Sequence, residues 1–282
     1  MSDKTTAIRE TAKKLLDEGK VELVIGFENG TISSRSSPCF VRKAADADKL
    51  IWDAKCENNL AKYLPGRKEK IGIIAKGCDS RAIVGLIQEK QIEREKLFIV
   101  GVPCEGMNDR DTGELSETCK TCAHPNPVIY DVLIGDKVKE GDKAAHFASV
   151  KEFAKKGSEE RWQYITEQLT KCIRCYGCRN SCPFCYCREC FVDCTKPQWI
   201  GKTIDVTDTQ LFHMVRALHV AGRCVSCGAC EKACPMGIDL RVLNKKLEEE
   251  VAEQFGYETG LTLDSIPPMT TFKPDDPEEF IK

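Results

Sequence analysis

The chain has 282 residues, a length that fits two modest domains. Its formal net charge of −2 gives no reason to expect a nucleic acid or an anionic membrane as a partner. The sequence opens on a polar, charged stretch without an apolar signal segment, and no apolar run approaches the roughly 18 residues that a membrane helix needs. We therefore expect a cytoplasmic protein without direct membrane insertion.

Cysteine is the informative residue type. The chain has 18 cysteines, and 12 of them lie between Cys172 and Cys234. Without an export signal, disulfides are not the expected use of so many thiols. Buried inert thiols, structural zinc and iron–sulfur clusters remain as explanations. Because the cysteines are so strongly grouped, the composition predicts metal binding.

The N-terminal third has the pattern of an α/β domain. A helix is predicted over residues 5–19, ending at a glycine, and a second helix over residues 81–90 with Asp79 or Ser80 as its cap. Strands are predicted at residues 21–27, 70–75, 97–102 and 128–134. Since strand, helix and strand alternate, we predict a short, mainly parallel sheet with a crossover helix.

The C-terminal half is predicted to be helical between its cysteine groups. Residues 143–171 form a helical connector that breaks at Gly157, and a further helix covers residues 207–221. A polar, solvated helix is predicted over residues 241–255. Residues 258–282 contain four prolines and no periodicity, which predicts an extended tail of the kind that lies on a partner.

Two cysteine runs share one spacing. They are Cys172-x2-Cys175-x2-Cys178-x3-Cys182-Pro183 and Cys224-x2-Cys227-x2-Cys230-x3-Cys234-Pro235. In bacterial-type ferredoxins, three thiolates of such a run bind one [4Fe–4S] cluster and the fourth binds the neighbouring cluster. We therefore assign cluster 1 to Cys172, Cys175, Cys178 and Cys234, and cluster 2 to Cys224, Cys227, Cys230 and Cys182.

Zinc is the alternative for these two runs. Four-cysteine zinc sites use two separated pairs, whereas each run here is a triad followed by Cys-Pro, so zinc fits less well. The 41 residues between Cys182 and Cys224 include the amphipathic helix. This arrangement resembles the helical ferredoxin modules of heterodisulfide reductase and succinate dehydrogenase iron–sulfur subunits. We predict a helical dicluster ferredoxin domain over residues 172–257, after an α/β domain over residues 1–142.

A cysteine-rich loop, residues 183–204, follows the first run. It contains four thiols that a plain ferredoxin does not need: Cys185, Cys187, Cys190 and Cys194. They can hold a further cubane cluster, cluster 4, although the one-residue gap between the first two is atypical. Spare thiols and a zinc site remain as alternatives.

Four cysteines of the α/β part stand where ligands can converge. Cys78 and Cys104 each follow a predicted strand, and Cys119 and Cys122 form a CxxC pair. Parallel strands end at one edge of a sheet, so these thiols can form one four-thiolate site, cluster 3. The spacing alone fits a [4Fe–4S] cluster or zinc.

The same region resembles a known family. The segments SPCFVRKAADADK, KIGIIAKGCDSRAIVGL, LFIVGVPCEG and CKTCAHPNPVIYDVLIGD, within residues 20–140, are similar to beta subunits of coenzyme F-420-reducing hydrogenases and formate dehydrogenases. The resemblance implies a [4Fe–4S] cluster on Cys78, Cys104, Cys119 and Cys122. Fuller members of the family also hold FAD and reduce a deazaflavin. This chain is shorter and lacks a glycine-rich flavin segment, so only the cluster carries over and no tight flavin is expected.

The remaining candidates are single residues. Cys39 and Cys56 adjoin apolar residues and are expected to be buried small hydrophobes. His124 follows the CxxC pair and is expected to be a solvated loop residue, with a hydrogen bond to a cluster sulfur as the alternative. His213 and His219 are expected to be packing residues. No Walker loop, nucleophile elbow or HExxH motif is found, so no catalytic residue is assigned.

These observations predict an iron–sulfur electron-transfer subunit of an anaerobic oxidoreductase complex, with three or four [4Fe–4S] clusters. The resemblance implies two kinds of partner: a catalytic formate dehydrogenase or hydrogenase subunit, and a flavoprotein or heterodisulfide-reductase-like subunit. One alternative is a subunit in which the N-terminal domain binds FAD and passes electrons between a flavin or deazaflavin and the clusters. The other is a zinc-stapled interaction module without redox chemistry.

Overall fold

The computed structural model describes residues 3–268. Its N-terminal half contains a five-stranded sheet in the order β2-β1-β3-β4-β5. The strands are β1 (Leu23–Asn29), β2 (Ser36–Val41), β3 (Ile71–Ala75), β4 (Leu97–Gly101) and β5 (Val132–Leu133). Only β2 runs antiparallel to its neighbour; the other pairs are parallel. The predicted short, mainly parallel sheet is confirmed.

Helices pack on this sheet and make up the C-terminal half. They are α1 (Asp3–Asp17), α2 (Gly77–Gln88), α3 (Glu117–Lys120), α4 (Lys143–Ala154), α5 (Ser158–Thr170), α6 (Gly177–Ser181), α7 (Val206–His219), α8 (Ala229–Lys232) and α9 (Arg241–Phe255). The break predicted at Gly157 separates α4 from α5. Among the described residues, no helix is long and apolar enough to cross a membrane.

Three details of the N-terminal α/β part differ from the prediction. Strand β2 is not among the predicted strands. It contains Pro38, which is tolerated because β2 lies at the edge of the sheet. Strand β5 has only two residues, whereas a strand over residues 128–134 was predicted. Helix α2 begins at Gly77, four residues before the predicted start, and Asp79 lies inside it. The Asp79 carboxylate accepts the Lys76 N–H at 2.9 Å, so it still caps the helix start.

Part of the C-terminal half belongs to the hydrophobic core of the sheet, while a second cluster of buried residues lies within the C-terminal half itself. Phe184, Val220 and Val225 from the C-terminal half belong to the same buried cluster as the sheet residues. Phe184 packs directly on α2 at Gly85, where a Cβ atom would lie 2.8 Å from the ring. Glycine at this position therefore allows the cysteine-rich loop to dock against the sheet domain.

Helix α9 is not the solvated helix that its polar sequence predicted. Its buried residues are Val242, Asn244, Lys245, Glu248, Glu249 and Val251. Glu248, for example, lies 3.3 Å from Nε2 of His146 on α4 and accepts a hydrogen bond from Ser226. The polar groups of α9 are buried because neighbouring elements supply partners for them.

The first part of the predicted tail lies on the chain itself. Arg81 of α2 donates to the Thr259 carbonyl at 3.0 and 2.8 Å, and Gln88 donates to the Ser265 carbonyl at 2.6 Å. Glu258 pairs with Lys143 at 2.8 Å. Residues 269–282, the rest of the predicted tail, lie outside the described residues.

Candidate iron–sulfur centres

The two ferredoxin runs have the same backbone conformation. Arg174 and Tyr176 in the first run have φ values of 51° and 58°, and Ser226 and Gly228 at the equivalent positions have φ values of 51° and 70°. Left-handed conformations are uncommon for residues other than glycine, so their recurrence marks a required bend. The bend directs the Arg174 N–H to Cys172 Sγ at 3.3 Å, and in the second run the Ser226 N–H to Cys224 Sγ at 3.4 Å. Such N–H donors stabilise thiolates.

The third cysteine of each run lies on a short helix, and the fourth follows that helix. Cys178 lies on α6 and Cys230 on α8, and the two helices contact each other. At Gly177 a Cβ atom would lie 2.9 Å from the Ala233 carbonyl oxygen, so the absent side chain permits this approach. The fourth cysteine of each run follows its helix and is therefore carried towards the opposite loop.

The thiols influence one another across the two runs. Burial raises the pKa of Cys172, and the nearby thiol of Cys234 raises it further, against the Arg174 N–H. Burial raises the pKa of Cys227 to about 12, and the thiol of Cys182 adds to the increase. The structure thus brings each fourth cysteine close to the other run, as crossed ligation requires. The ligand assignment itself stays a prediction.

The four N-terminal cysteines line one cavity of about 340 Å³. Cys78 lies on the first turn of α2, Cys104 follows β4, and Cys119 and Cys122 lie on or just after α3. Backbone N–H groups approach three of these thiols: Gly106 donates to Cys104 Sγ at 3.4 Å, Met107 donates to Cys119 Sγ at 3.3 Å, and the His124 N–H is hydrogen-bonded to Cys122. The predicted convergence of strand ends and the CxxC pair therefore occurs.

This cavity also reaches the second ferredoxin run. Ser226 and Cys227 are part of its wall. At Gly228 a Cβ atom would lie 2.6 Å from Oγ1 of Thr118, the residue before Cys119. The CxxC segment and the second ferredoxin loop are therefore in direct contact, and both contribute cysteines to the wall of this cavity.

The extra cysteines are only partly brought together. Cys185, Cys187 and Cys190 line a cavity of about 460 Å³, together with several arginines. Cys194 is not part of that wall, and its thiol donates to the Cys190 carbonyl at 3.6 Å. Cys185 is hydrogen-bonded to Cys182, a predicted ligand of cluster 2. A cluster held by all four extra thiols stays a prediction.

Sequence reasoning missed the role of helix α7. His213, expected to be a packing residue, has Nε2 at 3.3 Å from Cys172 Sγ. Burial lowers the pKa of His213 to about 4, and the cations Arg216 and Arg174 lower it as well, so the ring is neutral. Its neighbour Arg216, one turn later, donates to the Cys178 carbonyl at 3.0 Å. The sequence did contain one signal for this role: His213 and Arg216 are three residues apart on the helix between the two runs, so they lie on the same helix face.

The other single candidates are settled by their contacts. His219 packs edge-on against Phe191, with ring centroids 5.4 Å apart. The His124 ring is not solvated and lies against Glu258, whereas its backbone N–H is hydrogen-bonded to Cys122 in the N-terminal cavity. Cys39 and Cys56 are buried in the sheet core, as expected, and burial raises the pKa of each to about 12.

The donor sets fit clusters by their chemistry. The ferredoxin and N-terminal sets consist of thiols alone, the usual ligands of iron–sulfur clusters, and backbone N–H groups are directed at several of the sulfurs. Over residues 3–268, no group of three or more histidine, cysteine, aspartate or glutamate side chains has the geometry for a single metal ion.

Comparison with known proteins agrees with this geometry. Residues 168–238 match the 4Fe-4S dicluster domain. The chain is 23% identical to the F420-dependent formate dehydrogenase subunit beta of Methanocaldococcus jannaschii, over 93% of both chains. It is 24% identical to the F420-dependent formate dehydrogenase 1 subunit beta of Methanococcus maripaludis, over 93% of this chain and 92% of the relative.

The similarity to these beta subunits agrees with the resemblance seen within residues 20–140 and extends it over most of the chain. The alignments cover 358 and 361 positions, more than the 282 residues present, so the relatives carry segments that have no counterpart in this chain.

Proposed function

We propose that the chain is an iron–sulfur electron-transfer subunit of a cytoplasmic oxidoreductase complex, which relays single electrons through three or four [4Fe–4S] clusters. One observation carries the proposal: three thiol sets adjoin one another in series. The N-terminal cavity shares Cys227 with the second ferredoxin run, and that run packs on the first through α6 and α8. Bound clusters would supply one-electron redox chemistry at each set.

The series has one end at the protein surface. Cys175 of the first run is exposed, and Ile173 beside it is 52% exposed. Thiols of the second run and the N-terminal cavity are less accessible. This gradient supports a route from the N-terminal site through cluster 2 to cluster 1, with a partner subunit docking over Cys175.

The partners are proposed from the relatives. Both named relatives are beta subunits of F420-dependent formate dehydrogenases. We propose a catalytic formate dehydrogenase or hydrogenase subunit on one side of the relay. On the other side we propose a flavoprotein or heterodisulfide-reductase-like subunit. The relatives' dependence on F420 keeps a second candidate in view, in which the N-terminal domain also binds FAD and serves a deazaflavin.

Iron, sulfide and flavin analysis of the anaerobically purified chain tests the proposal. Three clusters give about 12 iron atoms per chain and four give about 16. About eight would remove the N-terminal site from the relay. Stoichiometric FAD released on denaturation would favour the second candidate, and a colourless, zinc-loaded protein would contradict electron transfer altogether.

A further inference from the structure

Arg216 lies buried between the two ferredoxin thiol sets. It is 4% exposed, and one Nη atom donates to the Cys178 carbonyl at 3.0 Å. Its Nε atom is buried without a hydrogen-bond partner among the described residues. Leaving a charged donor buried and unpaired is costly, so the arrangement is explained if an acceptor outside the polypeptide occupies this place.

Thiols of both runs lie near Arg216. It lines one cavity together with Cys185, whose thiol is hydrogen-bonded to Cys182, and its guanidinium group is close enough to Cys178, Cys182 and Cys230 to interact electrostatically with each. Within residues 3–268, no carboxylate lies within salt-bridge distance of Arg216. Cys178 belongs to the set of cluster 1, and Cys182 and Cys230 belong to the set of cluster 2, so one guanidinium faces both.

A cation in this position affects how readily each site accepts an electron. One-electron reduction adds one negative charge to a cluster, and a nearby cation or N–H donor stabilises the reduced form. The guanidinium group carries five donors in a planar fork, so it can approach two acceptors at once. We propose that Arg216 is shared by clusters 1 and 2 and raises both reduction potentials together. The inference rests on the proposed function.

His213 provides a matched control on the same helix face. It is also buried, at 3% exposed, but its contact is with Cys172 of cluster 1. A role confined to packing would make the two residues equivalent. A shared charge makes them different, because only Arg216 faces thiols of the second set.

The experiment is an anaerobic redox titration of the full chain, followed by electron paramagnetic resonance. It compares the wild type with Arg216→Gln, Arg216→Lys and His213→Gln, each with its iron content measured. Arg216→Gln is expected to shift both ferredoxin midpoint potentials to more negative values. Arg216→Lys keeps a charge but loses the fork, so it should widen the gap between the two potentials. His213→Gln should affect cluster 1 alone.

The outcomes separate this inference from the proposed function. Wild-type iron near eight or above with unchanged potentials in Arg216→Gln and Arg216→Lys overturns the shared role and leaves electron transfer intact. A shift of one cluster alone in Arg216→Gln also overturns it. If Arg216→Gln loses iron, the test rests on Arg216→Lys: a wider gap between the two midpoint potentials supports the shared role, and an unchanged gap overturns it. A wild-type chain without iron–sulfur signals would instead contradict the proposed function.

Discussion

Lys76 and Asp79 form a fully buried ion pair at the start of α2, with 2.9 Å between Nζ and Oδ2. Asp79 also accepts the Leu60 N–H at 2.7 Å, and Lys76 donates to the Asn58 carbonyl at 2.9 Å. The Lys76 ammonium lies 4.6 Å from the centroid of the Phe27 ring. The pair thereby fixes the helix start that presents Cys78 to the N-terminal cavity.

Removing one member of this pair is expected to be strongly destabilising. Lys76→Met leaves the Asp79 carboxylate buried without its cation, which should reduce the free energy of unfolding by about 3–5 kcal/mol. The double variant with Asp79→Asn should recover part of that loss. Urea denaturation under anaerobic conditions measures both.

Lys13 is the control for this prediction. It pairs with Asp48 at the same short range, 2.8 Å, but both side chains are well exposed. Lys13→Met should therefore change stability by less than about 1 kcal/mol. Equal effects of the two lysine variants would show that burial does not govern the Lys76 pair.

Crossed ligation is tested by Cys182→Ser. The thiol of Cys182 lies close enough to Cys227 and Cys230 to raise the pKa of both. The variant should therefore damage the cluster of the second run. Electron paramagnetic resonance of the reduced protein distinguishes the two clusters. Loss of the signal tied to Cys172 and Cys178, with the other intact, would rule out the assignment.

The N-terminal site is tested by a pair of cysteine variants. Cys78 lines the shared cavity, whereas Cys39 is buried in the sheet core away from it. Cys78→Ser should lose about four iron atoms per chain, and Cys39→Ser should lose none. Iron analysis of both proteins, purified side by side, measures this. Full iron in Cys78→Ser would mean that the cavity holds no cluster.

Glu258 should make stability depend on pH. Burial acts to raise its pKa, but hydrogen bonds with His124 and Lys143 lower it to about 2. A lowered pKa stabilises the folded state above the usual carboxyl range, and the contribution is lost as pH falls from about 4.5 towards 2. Glu258→Gln should weaken docking of residues 258–268 by roughly 1–3 kcal/mol at pH 7.

Hydrogen exchange of the amides in residues 258–268, corrected for intrinsic rates, measures this contribution. The difference between wild type and Glu258→Gln should shrink as the pH falls below about 4.5. A difference that grows as the pH falls below about 4.5 would have the wrong sign for a carboxylate with a lowered pKa.

What the sequence could predict depended on how local the determinants are. The spacing of the two runs identified the dicluster domain, and the strand ends placed Cys78 and Cys104 at one edge, because both signals lie within short segments. Burial of α9 could not be predicted in this way, because the partners of Glu248 are distant in sequence. His146 is separated from it by 102 residues and Ser226 by 22 residues. Arg216 was missed for the same reason, since its neighbours come from both runs.

The matching bends at Arg174 and Ser226 have a consequence for the direction of flow. Two loops with one backbone conformation give their clusters nearly the same immediate ligands, so any difference between the two potentials must arise farther out. Cys175 is exposed to solvent, whereas Cys227 is less exposed and forms part of the wall of the N-terminal cavity. The direction of electron transfer between the two clusters is thus set by where each loop lies in the fold. Exchanging the two loop sequences should therefore leave that direction unchanged.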